Sequence, residues 1–137
     1  MNPIEWMRTV YLGDRSIESL TLDGNKRALI FEVDLISRVR SPDGQWKYYD
    51  KEDIPNGKIV LDSVWQFSFH PQASFLNDYI SNFEVVSYIH NGKPMFKSTV
   101  STGSIDREGI GSEVRVEVIF EDLYLIDPRS PDIKISN

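Results

Sequence analysis

"VRVEVIFEDLYLI", residues 114–126, begins with an alternation of apolar and charged side chains. Valine at 114, 116 and 118 alternates with Arg115 and Glu117, a two-residue period that is typical of a strand with one buried face. A helix over 114–126 is the competing interpretation, but valine at alternate positions favours a strand. After Asp122 the apolar residues fall out of phase, which predicts a β-bulge or a bend near that position.

The same alternation recurs upstream and predicts further strands. Segments 16–39 and 81–105 each indicate a hairpin, the second around Asn91-Gly92, which suits a type I′ turn. In "KIVLDSVWQFSF", residues 58–69, the side chains predicted to face inward are Ile59, Leu61, Trp65, Phe67 and Phe69. Alternation throughout the chain predicts a mainly β (α+β) fold, either an antiparallel β-sandwich or a partly open barrel of six to seven strands.

The N-terminal stretch predicts one short helix over 2–13. Asn2 suits the capping position, Pro3 suits the first helical position, and Gly13 can end the helix. A length of 137 residues fits one domain, so we expect residues 1–137 to form a single domain.

Composition excludes several classes of protein. The formal charge of −6 argues against nucleic-acid binding, which requires a Lys/Arg surface, and favours either plain solubility or a basic partner. The chain has no cysteine, and no apolar run is long enough for a membrane span. Glu5 interrupts any signal-peptide core, so we expect a cytoplasmic protein with no membrane association. Monomer and homodimer both stay open.

The segment "SPDGQWKYYDKEDIPNG", residues 41–57, combines aromatic and acidic side chains. It fails as a calcium loop because Pro55 stands where the turn requires glycine, so we expect no metal. We predict a short strand "QWKYY" that buries Trp46 and Tyr48, followed by an acidic turn over 50–57. That turn is either a solvated connection or a surface for a basic protein partner. The candidate partner-binding residues are Asp43, Trp46, Tyr49, Asp50, Glu52 and Asp53.

Three carboxylates are the candidates for catalysis. Glu32 and Asp34 share one face of a strand, and Asp62 could join them from a neighbouring strand. Such spacing is common on any solvated sheet face, so cross-strand ion pairs are favoured over a small hydrolase. A barrel that holds an apolar ligand is a further alternative, but the large aromatic side chains assigned inward would fill its interior. No cofactor is expected.

Four segments spread along the chain resemble a family of short bacterial proteins of unknown function: "NPIEWMRTVYLGDR", "VDLISRVRSPDGQW", "NDYI" and "LIDP". The resemblance covers nearly the whole chain and brings no catalytic residues. Small acidic proteins of this kind are sometimes immunity proteins that neutralise a toxin encoded beside them, so the resemblance implies that class of function. The leading hypothesis is therefore a non-enzymatic binding protein, of immunity type, that presents an acidic surface to a basic partner.

Overall fold

The computed structural model describes residues 2–39, 51–71 and 74–136, which form one short helix and eleven strands. The number of strands exceeds the predicted six to seven, because bends divide segments that read as continuous strands in the sequence. The elements are α1 Pro3–Met7, β1 Val10–Tyr11, β2 Ile17–Asp23, β3 Ala28–Val33, β4 Leu35–Val39, β5 Lys51–Pro55, β6 Lys58–Asp62, β7 Gln66–His70, β8 Ile80–His90, β9 Lys93–Ile105, β10 Gly111–Phe120 and β11 Asp122–Ile126.

These strands form three antiparallel sheets, which confirms the mainly β prediction. The strand orders are β1-β4-β5, β7-β10-β9-β8 and β11-β6-β3-β2, and none of the three sheets is a closed barrel. Buried side chains from both four-stranded sheets belong to one hydrophobic cluster, with Val116 and Phe120 from one and Phe31 and Leu61 from the other. The two sheets therefore share a core.

Three bends carry the chain from one sheet to another. They lie at Asp34 between β3 and β4, at residues 63–65 between β6 and β7, and at Glu121 between β10 and β11. The last of these confirms the bend predicted near Asp122. The phase changes there because β10 pairs with β9 and β7, whereas β11 pairs with β6 in a different sheet.

An aspartate stands at each bend and accepts a hydrogen bond from the next backbone N–H. The distances from Oδ1 to that nitrogen are 2.8 Å for Asp34, Asp62 and Asp122. Asp34 also accepts from the Ser16 N–H at 3.0 Å. Interrupted strand pairing leaves backbone donors without a ladder partner, and a short carboxylate side chain can satisfy them locally.

The N-terminal helix is shorter than predicted. Asn2 caps it as expected, accepting from the Glu5 N–H at 2.9 Å, while the Glu5 side chain accepts from the Asn2 N–H. The helix ends at Met7 rather than near residue 13, because Val10 and Tyr11 pair with β4 instead. Trp6 is fully buried, which anchors the helix on the core.

The two predicted hairpins are confirmed as β2–β3 and β8–β9. At the second turn, both Asn91 and Gly92 have positive φ, 50° and 77°, as a type I′ turn requires. No helix in the described part of the chain is long and apolar enough to cross a membrane.

The inward assignment of Trp65 and Phe67 is wrong. Ile59 and Leu61 are fully buried as predicted, but Trp65 is 49% exposed and Phe67 is 43% exposed. Phe67 pairs with the buried Val118, yet β7 is the edge strand of its sheet, so little covers that side of it. Trp65 lies in the bend at 63–65 and Phe67 lies on an edge strand, so the core covers neither ring fully.

Replacing Asp34 with alanine should lower the free energy of unfolding by about 1 kcal/mol, because two backbone donors lose their acceptor. Asp34→Asn keeps an acceptor oxygen and should stay close to the wild type. Denaturant unfolding of the three proteins measures the difference. Equal destabilisation by both substitutions would show that the charge, rather than the acceptor, is what matters.

Candidate functional site

Most of the predicted partner-binding segment lies outside the described residues. This holds for Asp43, Trp46, Tyr49, Asp50, the "QWKYY" strand and the Glu52 side chain. The acidic turn predicted over 50–57 is wrong for residues 51–55. These form β5, because they pair with β4 over the whole range from Leu35↔Pro55 to Val39↔Lys51.

Asp53 is exposed on β5, and its carboxylate belongs to a hydrogen-bonded chain. Ser37 Oγ donates to Asp53 Oδ1 at 2.8 Å and accepts from Arg15 Nη2 at 3.1 Å. Arg129 Nη2 donates to the Asp53 carbonyl at 3.2 Å. Asp53 therefore ties β5 to β4 and to the C-terminal segment, while one side of it faces solvent.

The three candidate catalytic carboxylates fall into two separate places. Glu32 lies near Asp34 and Glu18. Glu18 is exposed, but some loss of hydration at its carboxyl, followed by the charges of Glu32 and Asp34, raises its pKa. Glu32 pairs with Lys58 at the start of β6, and Asp62 stands at the other end of that strand. The four residues from Lys58 to Asp62 correspond to about 13 Å along the strand. Sequence reasoning missed Glu18, which stands on the partner strand β2.

Asp62 lies directly opposite Asp122 across the β6–β11 pair. Tyr124 follows Asp122 on the same face of β11. Burial of the Tyr124 phenol, followed by the charges of Asp62 and Asp122, raises its pKa. Lys134 Nζ lies 4.8 Å from the centre of the Tyr124 ring. Among residues 2–39, 51–71 and 74–136, no three histidine or acidic side chains gather closely enough to hold a metal ion.

One recess in the described part of the chain is an open groove of about 540 Å³ where the turn between β2 and β3 meets the start of β7. We call it the aromatic groove. Its walls include three exposed apolar side chains, Leu22 at 51%, Trp65 at 49% and Phe67 at 43%. Its floor is formed by buried apolar side chains: Ala28, Leu29 and Val64.

Trp65 is held in place on the groove wall by charged neighbours. Its Nε1–H donates to Glu121 Oε2 at 3.1 Å, and Lys93 Nζ pairs with Glu121 Oε1 at 2.8 Å. Lys93 Nζ also lies 5.1 Å from the centre of the indole ring, while His90 lies beside it at 6.0 Å. The hydrogen bonds from Lys93 and Trp65 hold the pKa of Glu121 below its usual range. The ring is thus oriented before anything binds.

The backbone around the groove is also fixed. Arg27 and Ser63 both have positive φ, 53° and 52°, which is uncommon for residues other than glycine. The Val64 N–H donates to the Arg27 carbonyl at 2.8 Å, so the hairpin turn is bonded directly to the bend before β7. Such backbone conformations persist where surrounding structure holds them, and they are frequent at binding sites.

Sequence reasoning missed this groove because it placed Trp65 and Phe67 in the core. One signal was present. With Ile59 and Leu61 inward, the two-residue period requires an inward residue at 63, and that residue is Ser63. A polar side chain at that position marks the interruption between β6 and β7.

Family comparison matches the whole chain, residues 1–137, to a family of unknown function, DUF6258. The chain belongs to this family. The resemblance drawn from the sequence to a family of unknown function is therefore confirmed, while bacterial origin and an immunity-type role stay predictions. A comparison with curated proteins finds no match.

The indole N–H resonance of Trp65 should titrate with a midpoint below 4.5, the usual pKa of a glutamate, because it reports the protonation of Glu121. A lowered pKa means that the Glu121 contacts are intact above 4.5 and are lost as pH falls through the lowered value. NMR titration of the indole N–H measures the midpoint.

Glu121→Gln is the control, since it keeps an acceptor and removes the titrating charge. In this variant the chemical shift of the Trp65 indole N–H should not change over the same pH range. An unchanged titration in Glu121→Gln would assign the transition to another group.

Proposed function

We propose that this protein is a non-enzymatic binding protein and that the aromatic groove is its ligand-binding site. The supporting observation is that Trp65 is held by Glu121 and Lys93, yet it is 49% exposed and lines the groove. A ring that is already oriented loses little conformational freedom on binding, so burying its exposed face yields affinity. The groove volume also lies within the range of small-molecule sites.

The neutral fluorescent probe N-phenyl-1-naphthylamine tests whether the groove accepts an apolar ring. Trp65→Ala should weaken probe binding by about tenfold, equivalent to about 1.4 kcal/mol, because one wall of the groove is lost. Phe75→Ala is a matched control, since Phe75 is 80% exposed and does not line the groove. Fluorescence titration gives the affinities.

Melting temperatures of both variants establish that each is folded. Equal affinity of the wild type and Trp65→Ala, or an equal loss in Phe75→Ala, would count against the groove as the site.

A basic protein partner is a second candidate, favoured by the formal charge of −6 and by the exposed Asp53 on β5, which is an edge strand among the described residues. Charge of one sign on a surface speeds association with a partner of the opposite sign. An edge strand also offers unpaired backbone groups to a partner chain. In the immunity-type form of this proposal, the partner is a toxin.

Asp53→Asn should weaken association with such a partner and reduce its dependence on salt, because the substitution removes one charge and keeps the acceptor for Ser37. Proteins retained by the wild type and lost by Asp53→Asn at low salt are identified by mass spectrometry. Binding is then measured with the purified partner at low and high salt. An acidic partner, or binding that salt does not affect, would contradict the proposal.

A further inference from the structure

We infer that the aromatic groove recognises a small organic anion with a flat apolar body, such as an aryl carboxylate. This inference rests on the proposed function, because it names the ligand class of the same groove. It follows from the arrangement of charge at one end of the groove and of apolar surface at the other.

Two cations at the groove have no partner in the described part of the chain. The side chains of Lys26 and Arg27 form neither an ion pair nor a hydrogen bond with any described residue, and both are exposed. Of the nearby anions, Glu121 is paired with Lys93, whereas Asp23 accepts the neutral Lys26 backbone N–H at 3.0 Å and keeps its charge. The two charges of Lys26 and Arg27 against the one charge of Asp23 leave one net positive charge for a ligand.

The two cations lie in a second recess that continues the groove. This recess of about 500 Å³ is lined by Lys26, Arg27 and Glu121, and it shares Arg27, Val64 and Trp65 with the aromatic groove. We call it the cationic recess. A ligand that spans both recesses places its anionic group beside Lys26 and Arg27 and its apolar body over the buried Val64.

The shape of the walls favours a flat body. The ring of Trp65 is fixed in orientation, and Phe67 packs edge-on against Phe69 with ring centres 6.0 Å apart. Aromatic rings pair well in stacked and edge-to-face geometries, so a flat ring can use both walls. A flexible chain would lose more rotational freedom on entering the same space.

The overall charge limits how much negative charge the ligand carries. A chain with a formal charge of −6 repels extended polyanions, whereas a small anion beside Lys26 and Arg27 meets a local excess of positive charge. Arg27 is the better placed of the two, because its backbone is bonded to Val64 and its side chain lines both recesses.

The test compares two probes of similar size, the anionic 1-anilinonaphthalene-8-sulfonate and the neutral N-phenyl-1-naphthylamine. The wild type should bind the anionic probe about three- to fivefold more tightly, as expected for solvent-exposed charge pairs. The double variant Lys26→Gln/Arg27→Gln should lose that preference, so that the ratio of the two affinities falls to about one. Arg27→Lys should retain the preference.

Arg107→Gln is the matched control, because it removes one positive charge at the β9–β10 hairpin, away from the groove. An equal loss of preference in Arg107→Gln would overturn the inference in favour of overall charge. Binding of the neutral probe with no anionic advantage in the wild type would overturn this inference and leave the proposed function standing. If neither probe binds, both fall. Indole N–H shifts of Trp65 locate each probe, and melting temperatures exclude partial unfolding.

Discussion

Satisfaction of backbone hydrogen bonds at three strand bends is the constraint on which this structure depends. A strand that passes from one sheet to another loses its ladder partner for one or more residues, and the N–H groups there need another acceptor. Asp34, Asp62 and Asp122 each provide an oxygen 2.8 Å from the next backbone nitrogen. Because these donors are satisfied locally, the chain can turn without opening the shared core.

The bends also set the phase of the core. Val118 and Phe120 are buried before the bend at Glu121, and Leu123 and Leu125 are buried after it. A continuous strand would have placed the second pair on the opposite face. The shift by one residue keeps both halves directed into the same hydrophobic cluster, although they belong to different sheets.

The aromatic groove is a consequence of the bend at 63–65. The Val64 N–H bonds to the Arg27 carbonyl of the hairpin turn, which draws that turn toward the start of β7. Trp65 then emerges at the edge of its sheet, where Glu121 at the next bend accepts from its indole. Two of the three bends thus contribute to the groove. The bend at 63–65 provides Val64 of the floor, and the bend at Glu121 provides the carboxylate that orients Trp65.

The sequence predicts local features of this fold better than global ones. The Asn91-Gly92 turn and the slip near Asp122 each follow from a few adjacent residues, and both are confirmed. The positions of Trp65 and Phe67 depend on which strand becomes a sheet edge, and alternation carries no information about sheet order. For the same reason, the sequence did not place the hairpin turn of Arg27 beside β7, so the groove could not be predicted.

The carboxylates proposed for catalysis and the side chains of the groove differ in how much they contribute to the stability of the fold. Asp34 and Asp62 accept backbone N–H groups, so their side chains are held against the backbone at the bends. Leu22, Trp65 and Phe67 are each more than 40% exposed and contribute correspondingly less to the core. A contiguous group of exposed apolar side chains reduces solubility, and on folded proteins it commonly marks an interaction site. The exposed apolar residues that contribute least to the core therefore give the strongest support for a binding role.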